Sequence, residues 1–108
     1  MITIIEVKNY LNITYRDNDI DAKIKGILQR AEARIRNRVG ISSDTKLTET
    51  EEQLVLDCCR YLFNDAAEIF EDNFMVDLET ARNNRMIEAY RAEKEAEKEA
   101  EEEAEDGS

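Results

Sequence analysis

The chain has 108 residues, no proline, no histidine, two adjacent cysteines and a formal charge of −11. That length holds one domain, the absence of proline removes the strongest helix breaker, and the abundance of Glu, Ala, Lys, Arg and Leu predicts an all-α fold. Its apolar runs stop at three or four residues, which excludes a span of the roughly 18 apolar residues that a bilayer needs.

The charge is unevenly placed. Residues 93–106 hold nine acidic residues and two lysines, a net −7, which leaves −4 for residues 1–92. We therefore predict a small bundle of three to four helices over residues 1–92, with two long central helices. An acidic Ala/Glu-rich tail, helical or disordered, covers residues 93–108. The N-terminus has Glu6 where a secretory leader needs basic and then apolar residues. The chain is expected to stay in a cytoplasm.

Thr3-Ile4-Ile5-Glu6 has the form of a capping box. A short helix follows to about Leu11, with Ile4, Val7 and Leu11 on one side. Residues 12–19 read as a polar turn in which Asp17, Asn18 or Asp19 caps the next helix. That second helix carries Ile20, Ile24, Ile27, Leu28, Ala31, Ile35 and Val39 as one apolar stripe. Arg36 and Arg38 suit the dipole of its last turn, and Gly40 supplies a left-handed end.

The reverse of this helix is unusual. Ala22, Gly26, Gln29, Ala33 and Asn37 line up opposite the stripe, none of them charged and three of them very small. Lys23, Arg30 and Arg34 flank one edge, and Lys25 and Arg36 the other. Such a back either admits a second helix from a neighbouring subunit or is an ordinary alanine-rich solvent face.

Residues 41–47 connect to a second capping box, Thr48-Glu49-Thr50-Glu51. A third helix is predicted from there to about Phe70. Its apolar residues Leu54, Val55, Cys58, Cys59, Leu62, Phe63, Ala66, Ile69 and Phe70 cover more than half its circumference, so it belongs at the centre, packed against the second helix. A fourth helix, capped by Asp77, would run through Leu78, Ala81, Met86, Ala89 and Tyr90. Its stripe is thin and includes Arg82 and Arg85, so it is expected to bury little against its own domain and to lie along a partner. The candidate interface residues are thus Ala22, Gly26, Gln29, Ala33 and Asn37 on the second helix, with Arg82, Arg85, Met86, Tyr90 and Arg91 on the fourth. In the tail, Ala92, Ala96, Ala100 and Ala104 recur every four residues. Helix is expected to fray into disorder by Glu101, because acidic groups oppose the dipole there.

Catalytic and metal chemistry finds no residues. There is no histidine for neutral-pH proton transfer, and the three glycines are too scattered for a phosphate loop. Cys58 and Cys59 lack third and fourth ligands for zinc; they read as reduced thiols packed as small hydrophobes. Asp17-Asn18-Asp19-Ile20-Asp21 lacks the glycine and distal Glu of a calcium loop. No enzyme, cofactor or metal is expected. The cations of the second helix are split over two edges, whereas nucleic-acid binding needs a continuous basic surface. Sequence-specific DNA recognition is not expected either.

The opening Met1-Ile2-Thr3-Ile4-Ile5-Glu6-Val7-Lys8-Asn9-Tyr10-Leu11, the acidic turn, and the long helix Ile20 to Arg38 followed by Val39-Gly40 resemble the head–tail connector (adaptor) proteins of tailed bacteriophages, also called DNA-packaging proteins. Met86-Ile87-Glu88-Ala89-Tyr90-Arg91 is similar to that family's closing segment, with Ala89 where the family often has proline. Arg60-Tyr61-Leu62-Phe63-Asn64 is only loosely similar to its Tyr-x-x-Arg region, and the acidic tail is no part of its pattern. The resemblance covers most of residues 1–91. It implies a structural virion protein at the head–tail junction, in a ring of about a dozen copies built from one heterologous interface. Its partners would be copies of itself, the portal protein and a tail-proximal connector protein, with DNA only as passing cargo. The alternative is a small acidic helical regulatory module that masks a basic partner.

Overall fold

A computed structural model describes residues 1–14 and 16–106. Four helices follow one another: α1 (Ile4–Tyr10), α2 (Asn18–Val39), α3 (Glu49–Phe63) and α4 (Ala67–Asp106). There is no strand among the described residues. The fold is all-α, as composition predicts, and α4 is the longest element at 40 residues.

Local signals set most boundaries. The Thr3 hydroxyl accepts the Glu6 N–H at 3.2 Å, and Asp17 caps α2 by accepting the Asp19 N–H at 2.8 Å. Gly40 ends α2 at φ +82°, a left-handed conformation that costs glycine nothing. Thr48 and Glu51 form the reciprocal capping box of α3. The Arg36 guanidinium holds the α2–α3 connector by donating to the Ser42 and Thr45 carbonyls at 2.6 and 2.7 Å.

Two predicted boundaries are wrong. The third helix stops at Phe63 instead of Phe70, and the fourth begins at Ala67, well before Asp77. Asn64 and Asp65 form the break: Asp65 takes φ +55°, the Asn64 side-chain amide donates to the Arg60 carbonyl at 2.8 Å, and the Ala66 N–H reaches back to the Tyr61 carbonyl. Asn and Asp tolerate the left-handed turn that other residues avoid. The chain then folds back, so Phe70 stacks on Phe74 at 4.8 Å between ring centroids and meets Tyr61 edge-on at 5.6 Å. The predicted fraying is also absent: α4 continues to Asp106. The last two residues of the predicted tail lie outside the described residues.

The core is one cluster. Ile24, Ile27, Ala31 and Ile35 of α2 face Leu54, Val55, Cys58 and Cys59 of α3, and Phe70, Leu78 and Ala81 of α4 close the third side. Val7 seats α1 on it, and the Tyr10 hydroxyl donates to Asp57 across to α3. Each large apolar side chain so buried contributes about 1.5–3 kcal/mol. The expectation that the fourth helix buries little fails for its first half, which supplies a wall of the core. Arg34 lies near the Ala67 carbonyl and Arg38 near Glu71, while Asn73 meets Tyr61 and Arg85 meets Glu51. Hence α4 runs alongside α2 in the same direction and antiparallel to α3. Beyond Arg85 it leaves the bundle, and the molecule measures 68 × 28 × 16 Å.

Both cysteines are free and buried. Burial pushes the Cys58 thiol up to about 11 and the Cys59 thiol up to about 12. At pH 7 a thiol with a pKa of 11 is ionised in about one molecule in ten thousand. Neither should take up iodoacetamide in the native protein under conditions that alkylate both after denaturation. Native labelling at the rate of a free thiol, followed by mass spectrometry, would contradict the packing of α3.

Candidate subunit interface

The back of α2 is open. Ala22, Gln29, Ala33 and Asn37 are exposed and Gly26 is half-buried, and a Cβ added at Gly26 would meet nothing within 4 Å. The flanking cations divide into used and unused ones. Arg36 pairs with Glu32 at 3.0 Å, Arg38 lies 3.9 Å from Glu71, and Lys23 sits over the Phe63 ring. Lys25 and Arg30 are exposed on opposite edges of the small-residue face. Arg30 leans back to the Gly26 carbonyl at 3.4 Å.

The candidates on α4 separate into two groups. Arg82, Met86, Tyr90 and Arg91 are exposed, but Arg85 is not available to a partner. Its Nε and Nη2 donate to Glu51 at 2.8 and 2.6 Å, and Nη2 also donates to the Lys46 carbonyl at 2.9 Å. The reason is helical phase: Leu78, Ala81 and Arg85 share the inward face, so a guanidinium one turn past the core meets the N-terminal turn of α3. Glu51 is only 2 % exposed. The Arg85 hydrogen bonds hold its carboxyl below the usual 4.5 against the upward pull of burial, with the Thr48 N–H assisting. Sequence reasoning had assigned Glu51 to capping alone. Its second role was signalled only by Arg85 lying inside an otherwise apolar stripe.

The outward face of α4 exposes large apolar side chains interspersed with Asp72, Thr80 and Asn83. Ile69, Val76, Ile87 and Tyr90 lie opposite the buried residues, with Met75 and Met86 beside them, and all six are exposed. Val76 is 74 % exposed and Tyr90 60 %. Sequence reasoning missed Ile69, Met75 and Val76, because it placed Ile69 in the core of the third helix and residues 71–76 in no element. A stripe at helical spacing that is not the core stripe was the available signal. From residue 86 to residue 104 every side chain is exposed.

Shallow surface pockets accompany these faces, such as one of about 350 Å³ between α3 and α4 beside the Glu51–Arg85 pair. Among the described residues there is no cluster of three or more His, Cys, Asp or Glu placed to hold a metal. No helix among them is long and apolar enough to cross a membrane. Compared with protein-family models, curated proteins and solved structures, the chain matches none.

Proposed function

We propose that the chain is a structural virion protein without catalytic activity, a ring-forming adaptor that joins the portal of a phage head to the tail. What supports the reading is the outward face of α4. A helix whose inner side fills the core and whose outer side exposes Ile69, Val76, Ile87 and Tyr90 between polar residues leaves apolar surface in water for another chain to cover. A domain of about 92 residues also buries a modest share of its surface alone, so assembly adds stability. The partners are further copies, the portal protein and a tail-proximal connector. DNA passes as cargo, repelled by a chain of charge −11.

The masking reading draws on a different feature, the net −7 of the projecting end of α4, which suits a basic protein. Mass in solution separates the two. Light scattering or native mass spectrometry across concentration should show a particle of about a dozen 12.5 kDa chains, on the order of 150 kDa for a closed ring. A monomer at every concentration would remove the self-assembling adaptor and leave the masking module.

A further inference from the structure

The back of α2 and the far end of α4 complement each other and cannot meet within one copy. We propose that the acidic end of α4 from one copy docks along the back of α2 in the next. This contact deepens the ring reading and rests on it.

The charges match. The face of Ala22, Gly26 and Ala33 is flanked by exposed Lys25 on one side and exposed Arg30 on the other; Lys23 lies over Phe63 and Arg34 at the Ala67 carbonyl, and Glu68 and Glu71 of the same copy border the face beyond Ala33. On α4, Ala92, Ala96, Ala100 and Ala104 form a comparable small face, since residues four apart nearly align. Glu93 and Glu97 border it on one side, and Glu95 and Glu99 on the other. The two lysines of this segment, Lys94 and Lys98, fall on the reverse, where Lys94 pairs with Glu97 at 3.6 Å. A small face edged by cations thus exists beside a small face edged only by carboxylates.

The dimensions match too. Ala22 to Ala33 spans about 17 Å and Ala92 to Ala104 about 18 Å at the helical rise. Alanine and glycine on both faces let two helix axes approach closely, and the space above Gly26 is empty. Opposite charges brought together at a partly desolvated contact set register and reject the wrong pairing.

The occupant must come from outside the copy. α4 runs unbroken from Ala67 to Asp106 without a glycine or proline in it, about 60 Å of rod at 1.5 Å per residue. It leaves the bundle past Arg85, so its end cannot return to its own α2. Because the two faces differ, the contact is heterologous and propagates from copy to copy until it closes.

Charge exchange in the full chain tests the contact. The particle mass would be followed against concentration for the wild type, Lys25→Glu/Arg30→Glu, Glu97→Lys/Glu99→Lys, and the chain carrying all four changes. Far-UV circular dichroism would verify that each variant is folded. Each pair should weaken association about tenfold or more, and the fourfold variant, in which both faces are exchanged, should recover it. Association unchanged by either pair overturns this contact and leaves the ring reading standing. Loss without recovery in the fourfold variant also overturns it. A wild type that stays monomeric overturns contact and ring together.

Discussion

Phe70→Ala is expected to destabilise the domain by about 3–5 kcal/mol, the range for an aromatic removed from a close-packed core. Phe70 is fully buried, stacks on Phe74 and touches the Tyr61 edge. It is the first α4 residue in the core, so it decides whether the helix leaves the Asn64–Asp65 turn in the right direction. Small domains hold only about 5–15 kcal/mol in total, so urea titration of this variant should show a large share of the stability gone. Phe70→Leu should retain about half of the loss or more, whereas Met86→Ala, on the exposed side, should change stability by about 0.5 kcal/mol or less. A Phe70→Ala midpoint within error of wild type would mean that α4 is not docked as described.

Arg85→Ala should be nearly as damaging, at about 3 kcal/mol, for an electrostatic reason. It leaves the Glu51 carboxylate buried without its cation, and removing one partner of a buried pair costs far more than the pair itself contributes. Glu51→Leu/Arg85→Met, which removes both charges, should therefore be less destabilised than Arg85→Ala alone. The pH dependence has a defined sign. In the wild type the Glu51 carboxyl is held below 4.5, so its stabilisation is complete above pH 4.5 and is lost as pH falls through the depressed value. In Arg85→Ala burial acts on the carboxylate against the Thr48 hydrogen bonds alone, so its pKa rises from the wild-type value and acid relieves part of the defect. The stability gap between the two proteins should be widest near neutrality and should narrow on acidification. A gap that stays constant from pH 7 to pH 3 would show that Arg85 acts through packing of its stem alone.

Much of the fold was legible because its signals are local. Thr3, Asp17, Gly40 and the Thr48–Glu51 box each act within four residues, and each marks an observed boundary. The stripe on α2 reads directly because periodicity and burial coincide there. Reading failed where a turn sat inside a continuous apolar pattern. Leu62, Phe63, Ala66, Ile69 and Phe70 sustain helical spacing straight through Asn64–Asp65, and the backbone reversal there is hidden by side chains that stay apolar on both sides of it.

The candidate interface was legible only in part, for a related reason. A sequence shows which residues share a helix face but not which neighbour that face meets. Met86 and Tyr90 remain outward, while Arg85, in the same segment, turns inward to a carboxylate 34 residues away. Ile69 and Val76 had been assigned to the core or to no element, and they lie exposed because α4 begins earlier and rotates them outward.

The sequence by itself determined the all-α class, the caps, the apolar stripe of α2 and the separation of a −4 body from a −7 end, because hydrogen-bond capping, helical periodicity and charge are short-range or additive. Only the tertiary structure decided that the chain reverses at Asp65, that Arg85 answers Glu51, and that one long helix buries one side while leaving Ile69, Val76, Ile87 and Tyr90 exposed on the other. Those features depend on packing between elements distant in the chain, where the orientation of one helix against two others chooses which of its faces water still reaches.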